Sequence, residues 1–221
     1  MNSTKHLEYL VNLYLKQDYT LYKPQNEFSE EITQKITFIS RADFQHHYLN
    51  FYRTLPSLEQ VIIYSCRAKF KIFYDGHEYE LKHSHQAEFI ELGGVKHGVD
   101  NGTLQLMIDN IMPKQRELTC ANSFDDVYNV IKENKVIKFG ELAIYDTAIR
   151  ISAYLGFSPS MIYLHAGTRI GAINLEEKGL LKKGASSQEK LPVSEFPKPI
   201  QKLEPTQIEN FLCSFKKALK K

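Results

Sequence analysis

Apolar residues recur at three- and four-residue spacing along most of the chain, which is the pattern of helices with one buried face. The first such stretch carries Leu7, Leu10, Val11 and Leu15. Similar stretches follow Ser40, Gly102 and Ser123, and residues 57–74, which follow Pro56, are predicted to form one helix. Ser123 is a good N-cap for the helix after it, because its hydroxyl can accept from first-turn amides. The pattern predicts a mainly α fold.

Composition divides the chain into three parts. Residues 1–175 are expected to form a single helical domain, and residues 176–203 form a linker rich in Lys, Ser and Pro. Residues 204–221 are predicted to form a C-terminal helix, with Pro205 in its first turn. Its apolar stripe implies that it docks back onto the body (Ile208, Leu212, Phe215, Leu219).

Residues 124–155 predict a hairpin corner, in which two helices are joined by a short turn with Gly140. Amides at the start of the second helix lack partners within the helix, and the helix dipole favours an anion there. Glycine allows a phosphate to come close to the backbone. We therefore expect a phosphate-binding site at this corner, formed by Lys138, Phe139, Gly140, Glu141 and Leu142. Arg150, further along the second helix, is expected to contribute to the same site. The alternative is a plain packing corner between two helices.

The corner resembles the helix-hairpin-helix motif, which Ile137, Phe139, Gly140 and Ala143 match. Lys138 stands where the motif has its first glycine. Over roughly residues 120–175 the arrangement is similar to that of the helix-hairpin-helix DNA glycosylases, and the resemblance implies DNA binding. The residues of standard base excision are absent. Leu142 stands where bifunctional members have a lysine nucleophile, and His165 lies nearest the position of their aspartate.

The segment LHAGTR supplies a second group of candidates. Thr168 and Arg169 are good anion donors and are expected to bind nucleic acid or phosphate in one site with the corner. His165 adds an imidazole, a group that ordinarily titrates near neutral pH. If the Asp146–Arg150 pair lies against His165, the carboxylate could orient the imidazole for acid–base catalysis while Arg150 holds an anion. The alternative is a buried helix whose polar side chains satisfy one another.

Charge and cysteine content narrow the partners and the compartment. The net charge is +2, and residues 176–221 hold ten Lys and six Glu, so residues 1–175 are slightly acidic. Any nucleic-acid contact must therefore be local. Three widely spaced cysteines without a CxxC pair indicate a reducing, cytoplasmic location. The N-terminus lacks the apolar core of a signal peptide, and we expect no membrane partner.

The histidines of KHSHQ raise the question of a metal site. His83 and His85 could chelate from a strand, where alternate residues share a face, but no third ligand is well spaced. The alternative is a polar patch of Lys82, His83, His85 and Gln86 that faces RNA or DNA. We expect no metal and no cofactor.

Three functional hypotheses follow. The first is a DNA-binding protein that is glycosylase-like in layout. The second is an enzyme acting on a nucleotide or small phosphate or carboxylate ligand, with His165 as the acid or base and Asp146 orienting it. The third is a protein–protein adaptor that uses the GTRIGA segment and the C-terminal helix as packing surfaces. The sequence predicts neither the substrate nor the oligomeric state.

Overall fold

The computed structural model describes residues 3–24, 32–83, 90–92, 95–97 and 99–221. The α-helices in these ranges are α1 (Ser3–Lys16), α2 (Arg41–Arg53), α3 (Leu58–Arg67), α4 (Asn101–Ile111), α5 (Gln115–Thr119), α6 (Phe124–Glu133), α7 (Glu141–Leu155), α8 (Ala166–Glu177) and α9 (Pro205–Lys220). The strands are β1 (Tyr19–Pro24), β2 (Ile32–Phe38), β3 (Lys69–Tyr74), β4 (His77–Lys82), β5 (Ile90–Leu92), β6 (Val95–His97), β7 (Met161–Tyr163) and β8 (Lys190–Pro192). None of the described helices has the length and apolarity needed to cross a membrane.

The prediction of a mainly α fold is wrong, because the chain is mixed α/β. In the described part of the chain the strands pair in sequence order into two-stranded sheets, β1 with β2, β3 with β4, β5 with β6 and β7 with β8. The last three pairs are antiparallel. Helices remain the majority, and the sheets are small additions to them.

The clearest error falls in residues 57–74, which were expected to be one helix. The helix α3 ends at Arg67 because Ala68 takes a left-handed conformation with φ +54°. From Lys69 the side chains alternate, with Phe70 and Ile72 buried. A period of two suits a strand. This short alternation was hidden by the longer helical pattern before it.

Two local predictions are confirmed. The Ser123 hydroxyl accepts from the Asp126 amide at the start of α6. Pro205 lies in the first turn of α9, where its missing amide costs no helical hydrogen bond.

The chain divides into two compact units. The first contains residues 1–19, 38–45 and 159–221. Its core is formed by apolar residues of α1, α8 and α9 together with the β7–β8 sheet and the segment between α8 and α9. Residues 176–203, which the composition predicted to be a linker, bury several side chains in this core (Leu181, Leu191, Phe196, Ile200).

The second unit contains residues 20–37 and 46–158. The helix α7 packs against α3 and α6, and α3 packs against α4. Ten of the fifteen residues of α7 are buried, so this helix lies at the centre of the unit. Its first turn completes the turn of the hairpin corner, the next turn carries Asp146, and Arg150 lies one turn beyond Asp146.

Candidate functional site

The turn between α6 and α7 holds a lysine in a backbone conformation that usually requires glycine. The amide of Phe139 donates to the carbonyl of Val136 at 3.1 Å. Within this turn Lys138 has φ +73°, whereas Ile137 is outside the positive range. This combination corresponds to a type II turn, whose third position strongly prefers glycine. A lysine held there costs on the order of 1 kcal/mol relative to an ordinary conformation.

Packing on either side holds the corner in place. Phe139 is 2% exposed, and Ala143 and Ile144 of the first turns of α7 are buried. The turn is therefore anchored by one aromatic side chain and by the start of α7. Its tip projects outward, because Ile137 is 89% exposed.

The start of α7 is uncapped and open. Gly140 is the N-cap residue with φ −77° and ψ 173°, and no side chain caps the helix. The first amide bonded within the helix is that of Ile144, which donates to the Gly140 carbonyl at 3.0 Å. A Cβ on Gly140 would meet nothing within 4 Å. The first-turn amides can therefore be approached by a ligand, and the helix dipole adds partial positive charge.

Charges around the corner are mixed. Lys135 and Lys138 are exposed, and so is Glu141 in the first turn of α7. Hydrogen bonds from Thr103 hold the pKa of Asp100 below its usual range, and the charge of Lys138 acts in the same direction. Because acidic groups offset the lysines, main-chain amides rather than net charge would dominate anion binding here.

Arg150 does not face a ligand but lies fully buried inside the second unit. Its Nε donates to the Tyr48 hydroxyl, and its Nη1 donates to the Ser65 carbonyl at 2.8 Å. Its Nη2 lies 3.6 Å from Asp146 Oδ2. Burial works against the charged guanidinium, but the contacts with Tyr48, Tyr52 and Asp146 outweigh it and raise the pKa of Arg150. The charge therefore stays in place and organises the groups around it.

His83 completes this cluster at its outer side. The Nδ1 atom lies 3.9 Å from Asp146 Oδ2, and the ring centroid lies 5.5 Å from that of Tyr48. The side chains of His83 and Asp146 are 22% and 15% exposed. His85, its partner in the proposed metal pair, lies outside the described residues. Among the residues that the structure describes, no group of three His, Cys, Asp or Glu could hold a metal ion.

In the first unit, His165 lies beside a carboxylate that the sequence did not single out. Its Nε2 is 3.9 Å from Glu209 Oε1, and the Thr168 hydroxyl donates to the same oxygen at 2.6 Å. His165 is 6% exposed, and the Glu209 side chain 13%. Burial, followed by the nearby charge of Glu209, raises the pKa of Tyr14. Asp146 belongs to the second unit, where it lies beside His83. The carboxylate beside His165 is that of Glu209 in the first unit.

Arg169 acts as a clamp on the main chain. Its Nη1 donates to the carbonyls of Ser186 at 2.6 Å and Gln188 at 3.1 Å, and its Nη2 donates to the carbonyl of Leu164. These contacts tie the start of α8 to the segment that follows it. The guanidinium therefore holds the fold of the first unit, and the geometry gives no support to an anion contact here.

The small residues of GTRIGA are used for packing against α9. A Cβ on Gly171 would lie 2.5 Å from the Leu212 carbonyl oxygen, and one on Gly167 would lie 2.5 Å from Cys213 Sγ. The helices α8 and α9 approach closely along this face, which is thereby filled within the chain. Neither glycine is free to bring a ligand or an adaptor partner close to the backbone.

Sequence reasoning missed the partners of both histidines. Tyr48 was not among the candidates, and His83 was considered as a metal ligand or as part of a polar patch facing nucleic acid, but not as a partner of Asp146. Asp146 and Arg150 were recognised as a pair at i, i+4, and the structure confirms their proximity. Asp146 lies 63 residues from His83, and Glu209 lies 44 residues from His165, so tertiary packing brings them together and no local spacing reveals the contacts.

Comparison with known proteins gives no further assignment. No protein-family model, no curated protein and no solved structure matches this chain. Function must therefore be argued from the site itself.

Proposed function

We propose that the protein binds nucleic acid by holding backbone phosphate at the corner formed by residues 138–142. The observation that carries this proposal is the conformation of Lys138, whose φ of +73° is the left-handed one that a type II turn requires at its third position and that glycine adopts most readily. A positive φ at the position where the motif has its first glycine supports the proposal that this corner is used as the motif uses it. Maintaining this conformation with a lysine adds a positive charge at the cost of backbone strain.

The contact proposed here is made mainly by the backbone. The uncapped amides at the start of α7 supply hydrogen-bond donors, and the dipole of this 15-residue helix supplies partial charge. Lys138 adds a cation at the rim. Since Glu141 is exposed beside the amides, the corner suits one or two phosphates rather than a long polyanionic track.

Phosphate groups are common to DNA and RNA, and amide contacts alone do not distinguish them. The resemblance to glycosylases favours DNA. It does not extend to their chemistry, because Leu142 replaces the lysine nucleophile. The proposed activity is therefore binding, and base excision forms no part of it.

The decisive test compares variants of the corner in fluorescence-anisotropy titrations with duplex DNA, single-stranded DNA and single-stranded RNA of one sequence. Gly140→Asp places a carboxylate at an N-cap whose backbone is already extended, so the side chain can accept from the first-turn amides. We expect the fold to be retained and binding to weaken about tenfold or more, which corresponds to losing roughly 1.4 kcal/mol. Unchanged binding by the folded Gly140→Asp variant would refute the proposal.

Charge and geometry can be separated at Lys138. Lys138→Glu should weaken binding more than Lys138→Gly, which removes the charge but keeps the turn. Lys202→Glu is the matched control, because Lys202 is an exposed lysine of the other unit. Equal losses for Lys138→Glu and Lys202→Glu would show that binding follows overall charge and not the corner.

The salt dependence gives an independent check. With one or two phosphate contacts, the logarithm of the duplex binding constant should fall with the logarithm of salt concentration with a slope of about −1 to −2. A slope several times steeper would mean that an extended basic surface, and not this corner, makes the contact.

We also propose a cytoplasmic location. Cys66, Cys120 and Cys213 are free thiols, and Cys120 is exposed. An exposed thiol is most compatible with a reducing compartment. Cell fractionation with an antibody to the chain tests this, and recovery in an oxidising compartment would contradict it.

A further inference from the structure

A small cavity lies in the first unit, within the segment that follows α8. Its volume is about 230 Å³, and residues of the segment 182–195 line it. Ala185 and Leu191, which are 3% and 1% exposed, form an apolar floor that belongs to the core of the unit. Leu191 pairs with Ile162 of β7, so the floor is fixed to a sheet. Since a water molecule occupies about 30 Å³, the cavity has room for about eight non-hydrogen atoms.

The rim of the cavity carries charges of both signs. Lys182, Lys183 and Glu195 line it, and the Nζ atom of Lys182 lies 2.8 Å from Glu195 Oε1. The side chain of Lys182 is 79% exposed, and that of Glu195 is 27% exposed. Lys183 is exposed as well, and its charge acts on Glu176 at the end of α8. An exposed ion pair such as Lys182–Glu195 is weak in water, so both side chains can take up contacts with a ligand.

The wall that carries these lysines is held by two charged residues of α8. Glu176 accepts from the amides of Gly184 at 2.7 Å and Ser186 at 2.8 Å. These hydrogen bonds hold the pKa of Glu176 below its usual range, so the carboxylate stays charged. Arg169 donates to the carbonyls of Ser186 and Gln188. The wall is therefore ordered before a ligand arrives, and binding does not bear the entropy cost of ordering it.

These features match the three parts of a free aliphatic amino acid. Lysine ammonium groups bind a carboxylate, and a glutamate carboxylate binds an ammonium group. An apolar floor takes a short hydrocarbon side chain. A simple anion would leave the Glu195 carboxylate beside a like charge, and a simple cation would meet two lysines. A zwitterion of about the size of leucine satisfies both signs.

We propose that the first unit binds a free aliphatic amino acid of about the size of leucine in this cavity. Lys182 and Lys183 bind its carboxylate, Glu195 binds its ammonium group, and its side chain lies on the floor formed by Ala185 and Leu191. Nucleic-acid binding at the corner of residues 138–142 is a separate property, since the corner belongs to the second unit.

The test is isothermal titration of the full chain with leucine and with two analogues that each lack one charge. 4-Methylpentanoate has no ammonium group, and 3-methylbutylamine has no carboxylate. We expect leucine to bind saturably and each analogue to bind at least about tenfold more weakly. The proposal is overturned if leucine shows no saturable binding, or if either analogue binds as tightly as leucine.

Substitutions on the rim separate the two charged ends of the ligand. Lys183→Gln removes one partner of the carboxylate and should weaken leucine binding about tenfold. Lys202→Gln is the matched control, because Lys202 is an exposed lysine of the same unit that does not line the cavity. Equal losses for the two variants would mean that overall charge governs binding, and this result would overturn the site.

Glu195 is tested through the choice between ligands. Glu195→Gln removes the partner of the ammonium group, so it should weaken leucine binding and leave the affinity for 4-methylpentanoate unchanged or higher. Glu177→Gln is the control, because Glu177 is an exposed glutamate of α8. Circular dichroism shows whether each variant is folded. A folded Glu195→Gln variant that keeps the wild-type preference for leucine removes Glu195 from the proposal.

The place of binding is read from amide chemical shifts of the full chain by NMR. Leucine should shift the signals of residues 182–195 and leave those of α6 and α7 in place. Shifts confined to other residues would overturn the cavity as the site even if leucine binds.

Discussion

The protein contains two helix starts that look alike in sequence and differ in the structure. The start of α7 has Gly140 with lysines nearby, and the start of α8 has Gly167 followed by Thr168 and Arg169. Neither helix has a side-chain cap. At α7 a Cβ on the glycine would meet open space, whereas at α8 it would meet α9.

The polar groups follow the same division. Thr168 and Arg169 are bonded to groups of their own unit, a carboxylate in one case and main-chain carbonyls in the other. At α7, Lys138 and Glu141 are exposed, and no side chain caps the first-turn amides. A glycine near basic residues therefore indicates an anion site only where tertiary packing leaves the backbone uncovered.

The largest expected effect is a steric test of the packing of α8 against α9, one turn beyond the start of α8. Gly171→Ala would push a methyl group into the backbone of α9, which cannot move as a side-chain end can. We expect the free energy of unfolding to fall by about 3 kcal/mol, the upper range for overpacking. Chemical denaturation measures this. A loss below roughly 0.5 kcal/mol would mean that α8 and α9 are not in close contact.

The second test concerns the clamp at Arg169. Arg169→Ala removes hydrogen bonds to three carbonyls, and we expect a loss of about 2 kcal/mol, the value typical of a hydrogen bond to a charged group. Lys138→Ala at the other helix start makes a useful comparison, because no described contact is lost there. If Arg169→Ala weakened nucleic-acid binding but left the denaturation midpoint unchanged, Arg169 would belong to a binding site.

A smaller effect of opposite sign is expected at the corner. Lys138→Gly relieves the left-handed conformation, worth about 1–2 kcal/mol, but adds about 0.5–1 kcal/mol of chain entropy to the unfolded state. The net result should be a stabilisation of about 0.5 kcal/mol, visible as a higher melting temperature. A clear destabilisation would show that the turn does not hold a positive φ at this residue.

The smallest effect tests the uncapped helix. Gly140→Ser supplies a hydroxyl that can accept from a first-turn amide, and serine exceeds glycine as an N-cap by a few tenths of a kcal/mol. We expect a slight gain in stability from urea unfolding. A serine at a helix start that is already covered by packing would destabilise the fold. A loss of stability for Gly140→Ser would therefore mean that the start of α7 is not open.

Much of the helical framework could be predicted from the sequence, because it depends on local chemistry. Ser123 as an N-cap, Pro205 in a first turn and the apolar stripe of the last helix are all local signals. The strand β3 was missed because a short alternating pattern followed a helix without a proline or glycine between them. The break lies at Ala68, a residue type that gives no warning of a left-handed conformation.

The candidate site shows the same limit. Spacing alone paired Asp146 with Arg150, since residues four apart on a helix are neighbours. Spacing could not indicate that Arg150 would be fully buried, or that the hydroxyl of Tyr48 in α2 would accept a hydrogen bond from its Nε. His83 lies beside Asp146, and Glu209 lies beside His165, only because tertiary packing brings distant parts of the chain together.

By itself the sequence determined where most helices begin and end and which of their faces are apolar, because capping and periodicity act within a few residues. Tertiary structure decided which of two similar helix starts stays accessible and which carboxylate meets which histidine. The physical reason is that exposure and ion pairing depend on what packs from elsewhere in the chain. Gly140 and Gly167 are the same residue, and only their neighbours make one a candidate binding site and the other a packing contact.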